Sequence, residues 1–397
     1  MKNKFYKNIG IDPEVFIKFR KIKADLYRKP EDFIVKEIFS KKICDIKKEK
    51  LKQNFNSSKK YIHATLVKKN ISTFDACKIL ALKNNLSVQD ISYCGLKDTF
   101  GLTAQRISIL NKNIKRIKYT KFKNFFLKDF EGSDKKLSIR NHRGNCFIIK
   151  ARNISIHPQK CVTLLNKFKD EINQGLPNFY GPQRFGVRQH NHKLGKLLMK
   201  KKYNKFVFRF LTETNNNESP NIRHIRREIK KRYGNLGECV DIIKNYKELS
   251  DEKVLLLNLL RNSKIVSIKN MKISAFFIHA FVSYLFNLTL SSYLTKEYGN
   301  VKIEKIGMTS KLNKLNRVLY APISKKEKVN IEEIKSACKK FAVKGHPRNS
   351  LFFPKNFVFK IMRNCIILKF DLGIGEYASL VLDFLFNNQL KTTEKLN

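Results

Sequence analysis

Asp98 stands in YCGLKDTFGLTAQ, residues 93–105, between two stretches that alternate apolar and polar side chains. Alternation on both sides of a glycine-bearing connection predicts adjacent strands. The residues between them then sit at a sheet end, where loops carry chemistry on a rigid support. A carboxylate placed there can serve as nucleophile, as base, or as a turn residue bonding its own backbone, and residue type alone favours the last. Few other patterns compete with it. The chain has no GxxxxGK[ST] loop and no GxGxxG, and its eight cysteines (44, 77, 94, 146, 161, 239, 338 and 365) show no CxxC and no Cys/His spacing suited to zinc. They read as reduced, buried thiols. His63, His142, His190, His192, His279 and His346 read as packing or surface residues, with RQHNH (188–192) read as part of a strand.

Composition says what such a carboxylate would meet. Lys and Arg number 82 against 33 Asp and Glu, a net charge of +49. An excess of that size is typical of proteins whose partner is a polyanion, nucleic acid above all. With 397 residues and 42% hydrophobic content, the chain can bury one large core or two to three smaller ones. Charges interrupt any apolar stretch in MKNKFYKNIGIDPEVFIKF, so no secretory signal is expected and the protein is placed inside the cell, in cytoplasm or nucleus. Residues 273–294 are uncharged and long enough to span a bilayer, but they contain His279, Asn287 and several serines. They predict a buried helix of a soluble protein, and no membrane partner.

The elements that must position Asp98 follow from periodicity. YIHATLVKKN (61–70) predicts a strand, and the helix after it is capped by Ser72 or Thr73 and ended by Asn84 and Asn85. Residues 107–151 alternate short apolar and basic runs, further strands of the same sheet. The lysine-rich run 41–60 predicts a flexible arm. After 188 the chain turns more helical and more charged, and TNNNESPN (214–221) precedes the basic helix IRHIRREIKKR.

FDLGIGEY (370–377) is similar to the glycine turn of S-adenosylmethionine-dependent methyltransferases, but the 20 residues beyond it are too few for a doubly wound domain. A different resemblance covers nearly the whole chain. GLKD (95–98) with TAQ (103–105), then GLPNFYGPQRFG (175–186), resembles the TruD family of pseudouridine synthases. PEDFIVKEI (30–38), RGNCF (143–147), HAFVSYLFN (279–287) and GEYAS (375–379) are similar to further elements of that family, in its order.

The resemblance implies an α+β fold: a catalytic domain on a long mixed, mainly antiparallel sheet, interrupted by an inserted α/β module. That puts the catalytic domain at 1–187 and 350–397 and the module at 188–349. It implies isomerisation of a uridine, in tRNA at position 13, with Asp98 as the catalytic carboxylate, no metal and no other cofactor. Other RNAs are further possible substrates, and the expected state is a monomer. Phe147 corresponds to the family's base-stacking phenylalanine and Asn145 to its companion asparagine, although on its own strand Phe147 would read as core. Asn178, Gln183, Arg184 and Phe185 are implied as pocket scaffold. A lysine before the first motif pairs with the aspartate in many members; the candidates here are Arg28 and Lys29. Thr99 replaces a usual basic residue, and Leu382 and Asp383 replace a usual Arg-Glu. The reading from another class is a non-catalytic RNA-binding or RNA-folding protein using the same basic surface.

Overall fold

Strands rich in Ile, Val, Phe and Leu at period two bury one face or both, and here they assemble into one nine-stranded sheet. The computed structural model describes residues 6–16, 21–40, 42–47, 58–111, 117, 119–261, 268 and 274–387. Of the predicted arm at 41–60, residue 41 and residues 48–57 lie outside these. The strands are β1 (Phe33–Phe39), β2 (Lys42–Ile43), β3 (Tyr61–Lys69), β4 (Ile91–Tyr93), β5 (Leu102–Leu110), β6 (Phe125–Ser133), β7 (His142–Ala151), β8 (Leu176–Pro177), β9 (Lys302–Lys305), β10 (His346–Asn349), β11 (Leu351–Phe352), β12 (Lys355–Met362) and β13 (Cys365–Leu372). The main sheet runs β12-β13-β7-β1-β5-β3-β6, with β2 on β1 and β4 on β5. Only the β1–β5 pairing is parallel.

The helices are α1 (Thr73–Lys83), α2 (Pro158–Gln174), α3 (Asn191–Met199), α4 (Tyr203–Thr212), α5 (Pro220–Lys231), α6 (Leu236–Ile243), α7 (Ser250–Leu259), α8 (Ser274–Leu294), α9 (Lys314–Glu327), α10 (Ile331–Lys340) and α11 (Ala378–Leu385). Local chemistry sets their ends. The Ser72 hydroxyl accepts from the Asp75 amide at the start of α1, and Asn84 closes it. Ser219 caps α5 in the same way. His190 and His192 do not lie in a strand: the segment opens α3, because helical spacing puts Leu194, Leu197 and Leu198 into the core.

One face of the sheet meets two separate cores. Ile62, Ala64 and Leu66 of β3 and Ile107 and Ile109 of β5 pack under Ala76, Cys77 and Leu80 of α1. Phe33, Val35, Phe147, Ile149 and Phe370 join a larger core that continues through α3, α8 and α11. That core takes in residues from the segment 188–349 as well as from the sheet, so packing is continuous across both. α8 is the described helix long and apolar enough to cross a membrane, and most of it is buried here, with Phe277, Phe281 and Phe286 fully enclosed. Its polar residues have partners: Asn287 accepts from the Tyr180 amide at 2.8 Å and donates to the carbonyls of Tyr180 and Ile9, each at 3.0 Å.

β7 and β13 close together at Gly144. Its φ is +148°, and a Cβ there would overlap the Leu372 carbonyl oxygen, so only glycine lets the strands pair through Asn145 and Leu372. Gly144→Ala should therefore part the strands beside the site and lower the thermal midpoint by several degrees; a melting curve matching the parent's would refute this close approach.

Candidate active site

Register places a row of side chains on one sheet face. Phe370 pairs with Phe147, Phe147 with Val35, Val35 with Thr103 and Thr103 with Lys68. The neighbouring row on the same face includes Leu372, Asn145 and Glu37. Lys68, Thr103, Gln105, Glu37 and Asn145 thus lie where the two apolar cores meet.

The loop bearing Asp98 is pinned over that seam. Lys97, buried, donates to the Glu37 carboxylate at 2.8 Å, and the side chains are 5% and 0% exposed. Glu37 also accepts the Arg106 amide at 2.7 Å and stands 3.3 Å from His142 Nδ1. Burial lowers the His142 pKa, with the Lys97 charge acting the same way and Glu37 opposing both. The Gln105 amide donates to the Gly95 carbonyl at 3.0 Å, while its oxygen accepts from Thr73 Oγ1 at 2.9 Å; Thr73 in turn accepts the Lys97 amide at 3.2 Å. At the far end of the loop Gly101 turns at φ +106° against the Phe33 carbonyl, and its amide donates to Asn70 Oδ1 at 3.2 Å.

Asp98 itself is exposed to solvent, although protein atoms are dense around its carboxyl group. Burial raises its pKa; Lys68, its own backbone and Lys97 oppose that, in this order. Lys68 is 1% exposed and donates to the carbonyls of Ile71 at 2.8 Å and of Asp98 at 2.6 Å. Burial depresses its own pKa to about 8, with Asp98 opposing.

Arg28 is engaged elsewhere, paired with Asp25 at 2.5 Å, and Lys29 is exposed, with its backbone amide donating to Asp32 at 3.0 Å. The cations acting on Asp98 are Lys68 and, on the loop itself, Lys97. Tyr27, with φ +59°, packs edge-on to Phe33 and Phe100, and its pKa is raised by burial, then by Asp383 and Asp98. Sequence reasoning passed over Tyr27, Glu37 and Lys68. Glu37 and Lys97 are both present in the quoted motifs, but 60 residues separate them and no local spacing marks the pair.

Phe147 is 7% exposed, stacked on Phe370 at 5.6 Å between ring centroids and tilted against Phe33 at 6.2 Å. It is packed as core in this structure. Asn145 lies beside Glu37, and its side-chain oxygen is buried without a hydrogen-bond partner. Asn178 donates to the Asn349 carbonyl at 2.9 Å and accepts from Arg348, so it fixes the junction with β10. Phe185 is fully buried against His192, Gln183 is exposed, and Arg184 donates to the Tyr377 hydroxyl at 3.4 Å. A cavity of about 520 Å³ lined by Lys200, Tyr320 and Glu333 contains none of the motif residues. Roominess does not mark the chemistry here.

An exposed carboxylate beside two buried lysines, at a sheet end of a very basic chain, is what the motif residues build. The family model described as tRNA pseudouridine synthase D (TruD) matches residues 12–305, and the chain belongs to that family. A protein from Methanosarcina mazei, named probable tRNA pseudouridine synthase D, is 29% identical over 67% of this chain; the match spans 59% of that protein, less than two thirds. A protein of the same name from Pyrococcus abyssi is 26% identical, over 89% of this chain and 94% of its own length. The tRNA pseudouridine synthase D of Aquifex aeolicus is 24% identical, over 92% and 98%. The crystal structure of the Methanosarcina mazei TruD superimposes with a TM-score of 0.73 over 98% of this chain and 99% of that one, at 24% identity, and shows the shared fold.

Two expectations follow from this packing. Glu37→Gln leaves Lys97 buried without a counter-charge and should cost about 3–5 kcal/mol in urea unfolding, whereas Glu37→Met with Lys97→Met should cost less than the single change. A single-mutant loss below about 1 kcal/mol would show that the pair does not hold the loop. Phe147→Ala should lower stability by about 3–5 kcal/mol, as for a core phenylalanine; a variant that melts like the parent while losing turnover would move Phe147 from core to base stacking.

Proposed function

We propose that this chain is a tRNA pseudouridine synthase that isomerises a uridine with Asp98 as its catalytic carboxylate, at position 13 of the tRNA as the resemblance implies. The observation that carries the reading is the placement of Asp98: exposed to solvent on its loop, with the buried Lys68 bonded to its carbonyl and the neighbouring Lys97 also acting on its charge. The two cations pull the carboxyl group toward its ionised form against the burial that would neutralise it. An ionised carboxylate can add to carbon or take a proton, and either role suits the reaction. The bond from ribose C1′ to N1 breaks, the base turns, a bond from C1′ to C5 forms, and the C5 proton is exchanged for one on N1. A uridine must leave its stack to reach Asp98, and a single-stranded or looped RNA region lowers the cost of that. The same reading places the enzyme inside the cell as a monomer.

The neutral amide of Asp98→Asn keeps the turn but can neither add nor accept the proton. The variant should fold, bind tRNA near the parent's affinity and form no detectable pseudouridine when tRNA is mapped after incubation. Conversion near the parent's rate would assign the chemistry to another group. A parent protein that binds tRNA yet converts none would favour the non-catalytic RNA-binding reading.

A further inference from the structure

A second cluster of charge lies around Tyr180. Arg348 sits over the Tyr180 ring at 4.5 Å from its centroid and Arg184 at 5.6 Å. The Tyr180 hydroxyl is 3.2 Å from His346 Nε2. Lys305, 4% exposed, lies 3.4 Å from His279 Nδ1. These groups come from four places in the chain: the turn Pro182–Phe185, α8, β9 and β10.

The three permanent cations differ in how much of their bonding is spent. Arg348 is saturated: it donates to the carbonyls of Asn178 at 2.9 Å, Gly375 at 2.8 Å and Phe179 at 3.3 Å, and to the Asn178 side chain. Arg184 makes one long bond, to Tyr377, and its Nε has no acceptor. Among the described residues no ion pair engages Arg184, Arg348 or Lys305. The nearby carboxylates have other work: Glu376 accepts the Gly373 amide at 2.7 Å, and Glu304 accepts from Ser310 at 2.5 Å. Burial, and then mutual repulsion led by Arg184, depresses the Lys305 pKa to about 8; burial and then Lys305 hold His279 and His346 near 4. Cations gathered at a partly buried place, with Glu376 and Glu304 near but ion-paired to none of them among the described residues, are costly unless an anion joins them.

We propose that Arg184 and Lys305 seat one phosphodiester group of the bound RNA, with Arg348 and Tyr180 fixing the frame. A guanidinium fork grips two non-bridging oxygens and an ammonium adds a point charge, a combination suited to phosphate. The seat joins the loop of the 175–186 motif to the inserted segment, so the RNA backbone would bridge the two. This rests on the reading that the partner is RNA, but not on the chemistry at Asp98.

The test uses the full chain carrying Asp98→Asn, so that binding is read with the chemistry disabled. Affinity for tRNA is measured by fluorescence anisotropy across a salt series. Arg184→Gln and Lys305→Gln should each weaken binding and reduce the log–log salt slope by about 0.7 to 0.9, the value for one phosphate contact. The double variant should reduce it no further, because both hold the same group. Arg184→Lys should keep most of the slope, and melting curves check that each variant folds. An unchanged slope in both single variants overturns the proposal, as does an additive reduction in the double variant, which would mean two separate contacts. A phosphorus NMR titration with inorganic phosphate separates the sources: loss of phosphate binding on Arg184→Gln with the tRNA slope intact would mark a free-anion site and also overturn it. If the parent chain makes no pseudouridine while the slope changes hold, the isomerase reading fails and the phosphate seat stands.

Discussion

The buried ion pair between Lys97 and Glu37 constrains the rest of the site. Two charges taken from water into the seam between two apolar cores are held by each other and by the Arg106 amide, with His142 Nδ1 3.3 Å from Glu37. Moving the loop would strand both, and an unpaired buried charge is among the costliest defects a fold can carry. Asp98, one residue along, is therefore placed by its neighbour's charge. The pairing also explains which cation governs Asp98. Glu37 cancels much of the Lys97 field, whereas Lys68 bonds only carbonyl oxygens among its described contacts and keeps its field for Asp98, which is why Lys68 acts on it more strongly.

The seam is a consequence of register. Ile62, Ala64 and Leu66 precede Lys68 at period two on β3, and Ile107 and Ile109 follow Thr103 and Gln105 on β5. The same sheet face thus changes from apolar to polar within one strand on each side. α1 covers the first part, and the larger core covers Phe147 and Phe370. The polar row between them needs partners to be buried, and the loop supplies Lys97 for Glu37 and the Gly95 carbonyl for Gln105.

Much of this could be read in the sequence, and what could not has a common cause. Strand β3, helix α1 with its Ser72 cap, the buried character of α8 and the turn at Asp98 are local features, written in periodicity and capping residues within a dozen positions. The cation facing Asp98 was sought in Arg28 and Lys29, because proximity to a motif is all a sequence displays; Lys68 reaches Asp98 only because β3 and β5 pair antiparallel from Tyr61 to Lys69. His190 and His192 look like part of a strand until Leu194, Leu197 and Leu198 are counted at helical spacing. Phe147 has two readings that no sequence separates, since a base-stacking ring and a core ring occupy the same strand position and differ only in what lies on the other side.

The distribution of positive charge carries the last step. A net charge of +49 invites the view that every basic residue is an RNA contact, but the buried ones divide by what satisfies them. Arg226, held between Glu218 and Glu252 at 2.7 Å each, belongs to the helical core; so does Arg188, 3.9 Å from Glu218 and 3.7 Å from Glu252. Lys97 belongs to the loop. Among the described residues, where cations face carbonyls, a tyrosine ring and one another, as Lys68 does by Asp98 and as Arg184 and Lys305 do in the cluster at Tyr180, a field is left over for an outside anion. Charge that the fold has already neutralised contributes stability and architecture, and charge that it has not is the charge available for binding.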